Sequence, residues 1–590
     1  MIRPLKTHRF SDAAVLGFDT EYTSKGARLL SVQLAYGDKA EFFPIRELTV
    51  DALAELVISV AGLGTRNAVL VSYYSFAELQ FLPVKTEAFR WREYGGSFDC
   101  SFYSKRHGCS VRLFDLARFF ERRSLATVAE SFGLKKLPWN TTEVTAATVR
   151  DKAFREYAKN DAVITLKIFE ALRVEFAGRG TDILVSETPA RASSEIFRSQ
   201  YVTKEIANRN SRARFAGMRS AWGGRAEAFR VGSFPQLFEY DLQGAYPNAC
   251  ISFGSLPATK NWAEILTLKG IDSFAGGFAQ VRFEFPLDEI YPCLPRAYDN
   301  SLLYFTRGVE WVTLDEIRLA RSMGADVELL EGWGYKAGTT ELVEFMRAMV
   351  DERKTAKGAR RVMLKLAANS IIGKLAQRTP TADLEALWKV SQDEGIAIED
   401  LLYLPETELA KYGITKGFSV GSCFMPEWNA LITGRVRAEI SKLARETEAV
   451  YCATDAIWAR KEQPHIHATF SYDTGIELKR RGPGQVFRTK VGRIDDPKEK
   501  ADGYHVVHHG IHSRAVADAM MRSGAWKATY VNKRPVKIRE SLLHDKPFAK
   551  WGEFEMTASL GWDMGRALNE DGTTRPWRDV EEYDAAAAGV

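Results

Sequence analysis

The chain lacks any apolar run approaching the ~20 residues that a membrane-spanning helix needs. Its opening, Met-Ile-Arg-Pro-Leu-Lys, has no apolar core of the kind a secretory leader carries. Paired cysteines are missing too. The six present, Cys100, Cys109, Cys250, Cys293, Cys423 and Cys452, are scattered, which predicts reduced thiols and a cytoplasmic location rather than a disulfide frame or a zinc knuckle. Charge of one sign is scarce: 81 basic against 76 acidic residues leave a net +5. There is thus no global field to draw in a polyanion, and a nucleic-acid surface must be a local patch. One candidate lies at 201–230, where Lys204, Arg209, Arg212, Arg214, Arg219, Arg225 and Arg230 outnumber Glu205 and Glu227. No internal repeat is present, and 590 residues suffice for several domains with large cores.

Three stretches stand out. In Tyr240-Asp241-Leu242-Gln243-Gly244-Ala245-Tyr246-Pro247 an apolar run meets an acid, then small residues and a Tyr-Pro pair. That pattern predicts a strand ending at Asp241, where a carboxylate at the sheet surface can hold a metal ion. In the second, Arg353, Lys357, Arg361 and Lys365 recur every four residues and lead into Asn369-Ser370 and Gly373. On one helix they would form a single cationic stripe suited to a phosphate-bearing ligand. The third, Val450-Tyr451-Cys452-Ala453-Thr454-Asp455-Ala456-Ile457-Trp458, looks like a buried strand with one acid in its middle. Such an acid is costly unless paired or metal-bound.

The first third repeats the acidic theme. Ala13 to Phe18 is a short strand ending in Asp19-Thr20-Glu21, two acids on one side of a strand. Val69 to Leu79 reads as a strand running into a helix that contains Glu78, and Ser124-Leu125 opens an amphipathic helix. Tyr157 and Asp161 are four apart, hence on one helical face.

The order and residue types of the three central stretches resemble the A, B and C motifs of family B DNA polymerases, with Trp222-Gly223-Gly224 resembling the protein-primed viral and plasmid branch. The first third resembles the 3′–5′ exonuclease domain that precedes the polymerase in that family. The resemblance implies an α/β and α+β multidomain chain, a ribonuclease H-like exonuclease domain followed by a right-hand polymerase. Its expected layout is an exonuclease domain at 1–190, a basic connector at 191–235 and palm at 236–340. Fingers at 341–378, an insertion at 379–416 and more palm at 417–500 follow. A thumb at 501–568 and a disordered tail at 569–590 close the chain.

The resemblance also assigns roles. Asp241 and Asp455, with the Leu242 carbonyl, would hold two Mg²⁺, with Mn²⁺ as substitute. Arg353, Arg361 and Lys365 would neutralise the dNTP triphosphate, Asn369 would line its pocket, and Tyr246 would lie under the sugar. Asp19, Glu21 and Asp161 would hold the exonuclease metals, with Glu78 and Tyr157 completing that site. Gly223, Gly224, Arg225, Ser124, Leu125 and Lys490 would contact DNA. Implied partners are primer-template DNA, single-stranded DNA at the exonuclease site, and a terminal protein or other replication proteins. The setting is a viral or mobile-element genome, in the host cytoplasm if viral, with no membrane.

The pattern is broken in places. Ala77 follows Phe76 where the family has aspartate, which leaves Glu78 as the acid and Asp115 in reserve. Ala453 replaces an acid, Ile372 a tyrosine and Gly492 an aromatic residue. Two other readings therefore stay open: an exonuclease whose polymerase half serves as a DNA clamp, and a non-enzymatic replication scaffold. The cluster His505, His508, His509 and His512 reads as phosphate contacts or packing rather than a metal site.

Overall fold

The architecture was taken from a computed structural model. It describes the chain except residues 6–10, 24–27, 63, 80, 83–88, 95–96, 121–122, 141–143, 187, 299–300, 382–388, 394–416, 470–474, 498–503, 509, 512, 536–550 and 589–590.

Apolar runs in the first third build a seven-stranded sheet. Its order is Lys39–Pro44, Leu29–Tyr36, Ala14–Tyr22, Asn67–Ser72, Cys109–Asp115, Ser97–Ser104, Phe89–Tyr94. The middle three strands run parallel and the outer pairs antiparallel. The helix Lys152–Ala177 crosses this sheet on a face of Phe154, Ala158, Ala162, Phe169 and Phe176. Gly17 permits the contact, because a Cβ there would stand 2.1 Å from the Ala162 carbonyl oxygen.

The second half is organised by an antiparallel sheet. Its order is His505–His508, Val491–Ile494, Ile476–Arg488, Gly232–Leu242, Ala456–Ala459, Tyr451–Ala453, Ala226–Ala228. Helix Pro426–Glu446, buried along nearly its whole length, packs on helices Ser211–Ser220, Ala245–Ser252 and Leu314–Ser322. A smaller sheet made of Trp262–Glu264, Asp326–Tyr335, Gly276–Glu284 and Arg307–Thr313 flanks it. Helices Glu341–Thr355 and Gly358–Leu375 form an antiparallel pair, and the second packs on helix Pro189–Gln200. Beyond the main sheet come helix Arg514–Ser523 and a ribbon of Lys527–Pro535 with Trp551–Ser559. An α/β domain thus precedes an antiparallel sheet with its flanking helices, a helical pair and a two-stranded ribbon.

Several expectations need correction. The span 191–235 is no loose connector. It supplies helix Ser211–Ser220 and the edge strand Ala226–Ala228, and its basic residues find partners: Arg209 with Glu205, Arg219 with Glu310, Arg214 over the Phe424 ring. The four-residue cationic stripe is split, because Ala356 and Lys357 are extended and Gly358 has φ +52°, so Arg353 and Arg361 lie on different helices. Val450 to Trp458 is a hairpin rather than one strand. The tail at 569–590 is ordered through 588: Trp577 and Tyr583 pack with Leu303 and Phe305, and Asp579 accepts from Arg307 at 2.7 Å. Two aromatic anchors outweigh the alanine-rich composition that suggested disorder. Of the insertion at 379–416, only 379–381 and 389–393 lie within the described residues.

Candidate active sites

Asp241 closes the long central strand. The next N–H, of Leu242, donates to the Asp455 carbonyl at 2.7 Å, which ties the two motifs together through backbone. Asp455 sits at the tip of the hairpin Tyr451–Ala453/Ala456–Ala459, after Thr454 at φ +61°. Ala453 pairs with Ala456 across the turn. An acid at 453 would therefore not share a strand face with Asp455, contrary to the single-strand expectation. Burial, then the Asp241 charge, pushes the Asp455 carboxyl up to about 6, while the Lys479 ammonium acts the other way.

Lys479 donates to Asp241 Oδ2 at 2.6 Å. A bulge puts it there. Leu478 pairs with Tyr240 and Arg480 with Glu239, which leaves Lys479 as the extra residue on its strand. Two consecutive cations consequently serve the acidic face, and Arg480 donates to Glu239 at 2.7 Å. Nothing in the sequence marks this lysine, since a bulge has no spacing signature of its own.

Of the Gly223-Gly224 pair, Gly224 meets protein while Gly223 is exposed. A Cβ on Gly224 would lie 2.9 Å from Thr454 Cα and 3.1 Å from Tyr246 Oη, and the Gly223 carbonyl accepts from Arg437 at 3.1 Å. Burial beside Asp455 pushes the Tyr246 phenol up to about 12. Arg225 is fully buried, donating to Glu227 at 2.7 Å and to Ser441 Oγ at 2.7 Å, and so cannot be the DNA contact expected of it. Its charge is matched inside the protein, in a cluster that Arg566 joins through Glu227 at 3.1 Å.

On helix Gly358–Leu375, Arg361, Lys365 and Asn369 share one solvent-facing side. Arg361 donates to the Arg353 carbonyl at 2.9 Å, which closes the helix pair. Burial and Arg361 together lower the Arg353 guanidinium. Ile372 is buried, and its carbonyl accepts from Asn429 Nδ2 at 3.0 Å.

The first domain gathers a second acidic group. Asp19 and Glu21 come from strand Ala14–Tyr22, Glu78 from the short helix Phe76–Leu79, and Asp161 from the long helix. Burial raises all four carboxyls. Glu21, Asp161 and Glu78 add to the rise at Asp19, and Glu21 reaches about 8. Lys136, which the sequence reading passed over, pairs with Asp161 and stands 5.2 Å over the Tyr157 ring. Asp115 has other work: its Oδ1 accepts from the N–H groups of Tyr74 and Ala117, each at 3.1 Å, and it caps a helical turn. Ser124 Oγ caps helix Leu125–Ser131 at the surface, Leu125 packs on the core, and Lys490 projects from a hairpin turn at φ +57°. His508 Nδ1 is bonded to the Ile511 carbonyl at 2.8 Å, whereas His509 and His512 lie outside the described residues.

Both groups suit divalent cations. Buried acids repel one another until a cation compensates, and Glu78 Oε2 and Thr20 Oγ1 are buried without hydrogen-bond partners. Among the described residues no three His, Cys, Asp or Glu side chains form a ready cage.

A sequence model of the family described as "DNA polymerase type B, organellar and viral" matches residues 126–401. The chain is 29% identical over 311 residues to the "Primer-independent DNA polymerase PolB" of Escherichia coli, covering 43% of this chain. It spans about a third (35%) of that relative's length. In fold it is similar to the Phi29 DNA polymerase ternary complex with primer-template DNA and incoming nucleotide, at TM-score 0.63 and 16% identity, covering 93% of this chain and 100% of that one. The Phi29 complex with single-stranded DNA is similar at TM-score 0.62 and 15% identity, with the same coverage.

Proposed function

From a chain related to the type B DNA polymerases of organellar and viral kind, we propose a DNA-dependent DNA polymerase with its own 3′–5′ exonuclease, replicating a viral or mobile-element genome. One observation carries the reading: Asp241 and Asp455, far apart in sequence, are locked side by side by a backbone hydrogen bond at the end of an antiparallel sheet. Two Mg²⁺ held there would activate the primer 3′-hydroxyl and stabilise the leaving oxygen. Asp241, Asp455 and the Leu242 carbonyl are their ligands in this reading. Arg361 and Lys365, with Arg353 behind them, neutralise the triphosphate, and Asn369 borders the base. Tyr246, packed against the hairpin that carries Asp455, blocks a 2′-hydroxyl by bulk. In the first domain Asp19, Glu21 and Asp161 would hold the metals for hydrolysis of a frayed primer end, with Glu78 completing the site. Tyr157 and Lys136 orient Asp161. Primer-template DNA, single-stranded DNA and a terminal protein or other replication proteins are the partners.

The test is primer extension with dNTPs and Mg²⁺, run beside single-strand degradation. Asp241→Ala and Asp455→Ala are each expected to abolish extension and spare degradation; Asp19→Ala with Glu21→Ala is expected to do the reverse. Ala453 and Ile372 favour the second reading, an exonuclease with a silent palm. A wild-type protein that degrades DNA but extends nothing at any Mg²⁺ or Mn²⁺ concentration would establish it.

A further inference from the structure

The palm acids already have a cation of their own. Lys479 Nζ lies 2.6 Å from Asp241 Oδ2, and its charge also reaches Asp455. The contact is built rather than incidental. An extra residue in the strand Ile476–Arg488 turns Lys479 to the face it would otherwise point away from, while Arg480 is already committed to Glu239. The first domain solves the same problem in the same way, with Lys136 on Asp161. Two carboxylates fixed side by side by backbone must be neutralised by something, and an ammonium within hydrogen-bond reach does so without any bound ion.

We propose that Lys479 is a tethered stand-in for a divalent ion in the palm, which holds Asp241 until a metal displaces it. The inference rests on the polymerase reading of Asp241 and Asp455. Metal entry then requires breaking the Lys479–Asp241 pair, so the affinity of the palm for metal is set by this lysine. The alanine at 453 removes no carboxylate from the strand face of Asp455, because the chain turns between the two residues. Lys479, rather than the missing acid, then sets how much metal the palm needs.

The measurement is Mn²⁺ binding followed by the EPR signal of the free ion. The protein is the full chain with Asp19→Ala and Glu21→Ala, so that the palm dominates. Lys479→Met, which keeps the stem and removes the charge, is expected to tighten binding about fivefold, the effect of losing one part-exposed ion pair. Lys479→Arg, which keeps the charge, is expected to stay near the parent value. In EDTA, Lys479→Met should melt earlier than the parent and gain more from Mn²⁺. Unchanged or weaker Mn²⁺ binding in Lys479→Met would overturn the inference, as would equal tightening in Lys479→Arg. Asp241→Asn separates the two levels. If it removes the palm ion while Lys479→Met changes nothing, only the role of Lys479 falls. If it leaves Mn²⁺ binding intact, the metal assignment in the palm falls with it.

Discussion

At the scale of single residues, what decides behaviour is how each buried acid is compensated. Burial, then the Asp161 charge, pushes the Glu21 carboxyl up from 4.5 to about 8, while the Lys136 ammonium acts the other way. A folded state holding protons that the unfolded chain has shed loses stability as pH rises. In EDTA the melting temperature of the first domain is therefore expected to fall between pH 4.5 and 8. Glu21→Gln should flatten that slope, and Mg²⁺ should offset it by supplying the missing countercharge. A melting curve independent of pH in EDTA would mean that these acids do not meet as described. Asp19, Glu21, Asp161, Asp241 and Asp455 could all be picked out of the sequence, because acids at the ends of apolar runs or one helical turn from a tyrosine have recognisable spacing. Lys136 and Lys479 could not. A single lysine in a loop or a bulge looks like any solvated charge until the fold brings an acid to it.

At the scale of elements, turns rather than strands carried the surprises. Thr454-Asp455 offers none of the glycine or asparagine that usually marks a tight hairpin, so the stretch read as one strand. Gly224 lies against this turn, with room for a hydrogen but not for a methyl group. Gly224→Ala is expected to push the Thr454 backbone and Tyr246 aside and to cut extension by roughly tenfold or more, a displacement of the order of 1 Å being costly at a reacting centre. Single-strand degradation, which the proposed function places on the other sheet, should be unchanged. Equal loss of both activities would point to general unfolding instead. In the fingers, the helical pair was legible from its apolar spacing, and Gly358 was the visible sign of the break that divides the cationic stripe. The meeting of Asp161 with Asp19 and Glu21 depended on a different kind of contact: Gly17 lets the long helix approach the strand that bears Asp19.

At the scale of the whole molecule, the chain ends by returning to its middle. Residues 566–588 run back under the palm, where the Val231 N–H donates to the Gly572 carbonyl and Thr574 Oγ1 donates to carbonyls of Ala228 and Phe229 at 3.0 and 2.9 Å. Composition concealed this, since acids followed by alanines read as solvated chain. Trp577→Ala should cost about 3 kcal/mol where the ring packs on Leu303 and Phe305, as expected for a buried tryptophan. The sign would be an earlier melting step and faster proteolysis near 570; an unaffected variant would return the segment to the status of a loose end. The segment also changes what the thumb can be. Its ribbon Lys527–Pro535/Trp551–Ser559 leaves the palm sheet at His505–His508 and rejoins the palm through Arg566 and Thr574. It is thus tied to that sheet at two points rather than one. On the proposed reading, a duplex held under a segment tied at two points would leave by sliding along its own axis, since lifting away would first require one tie to let go.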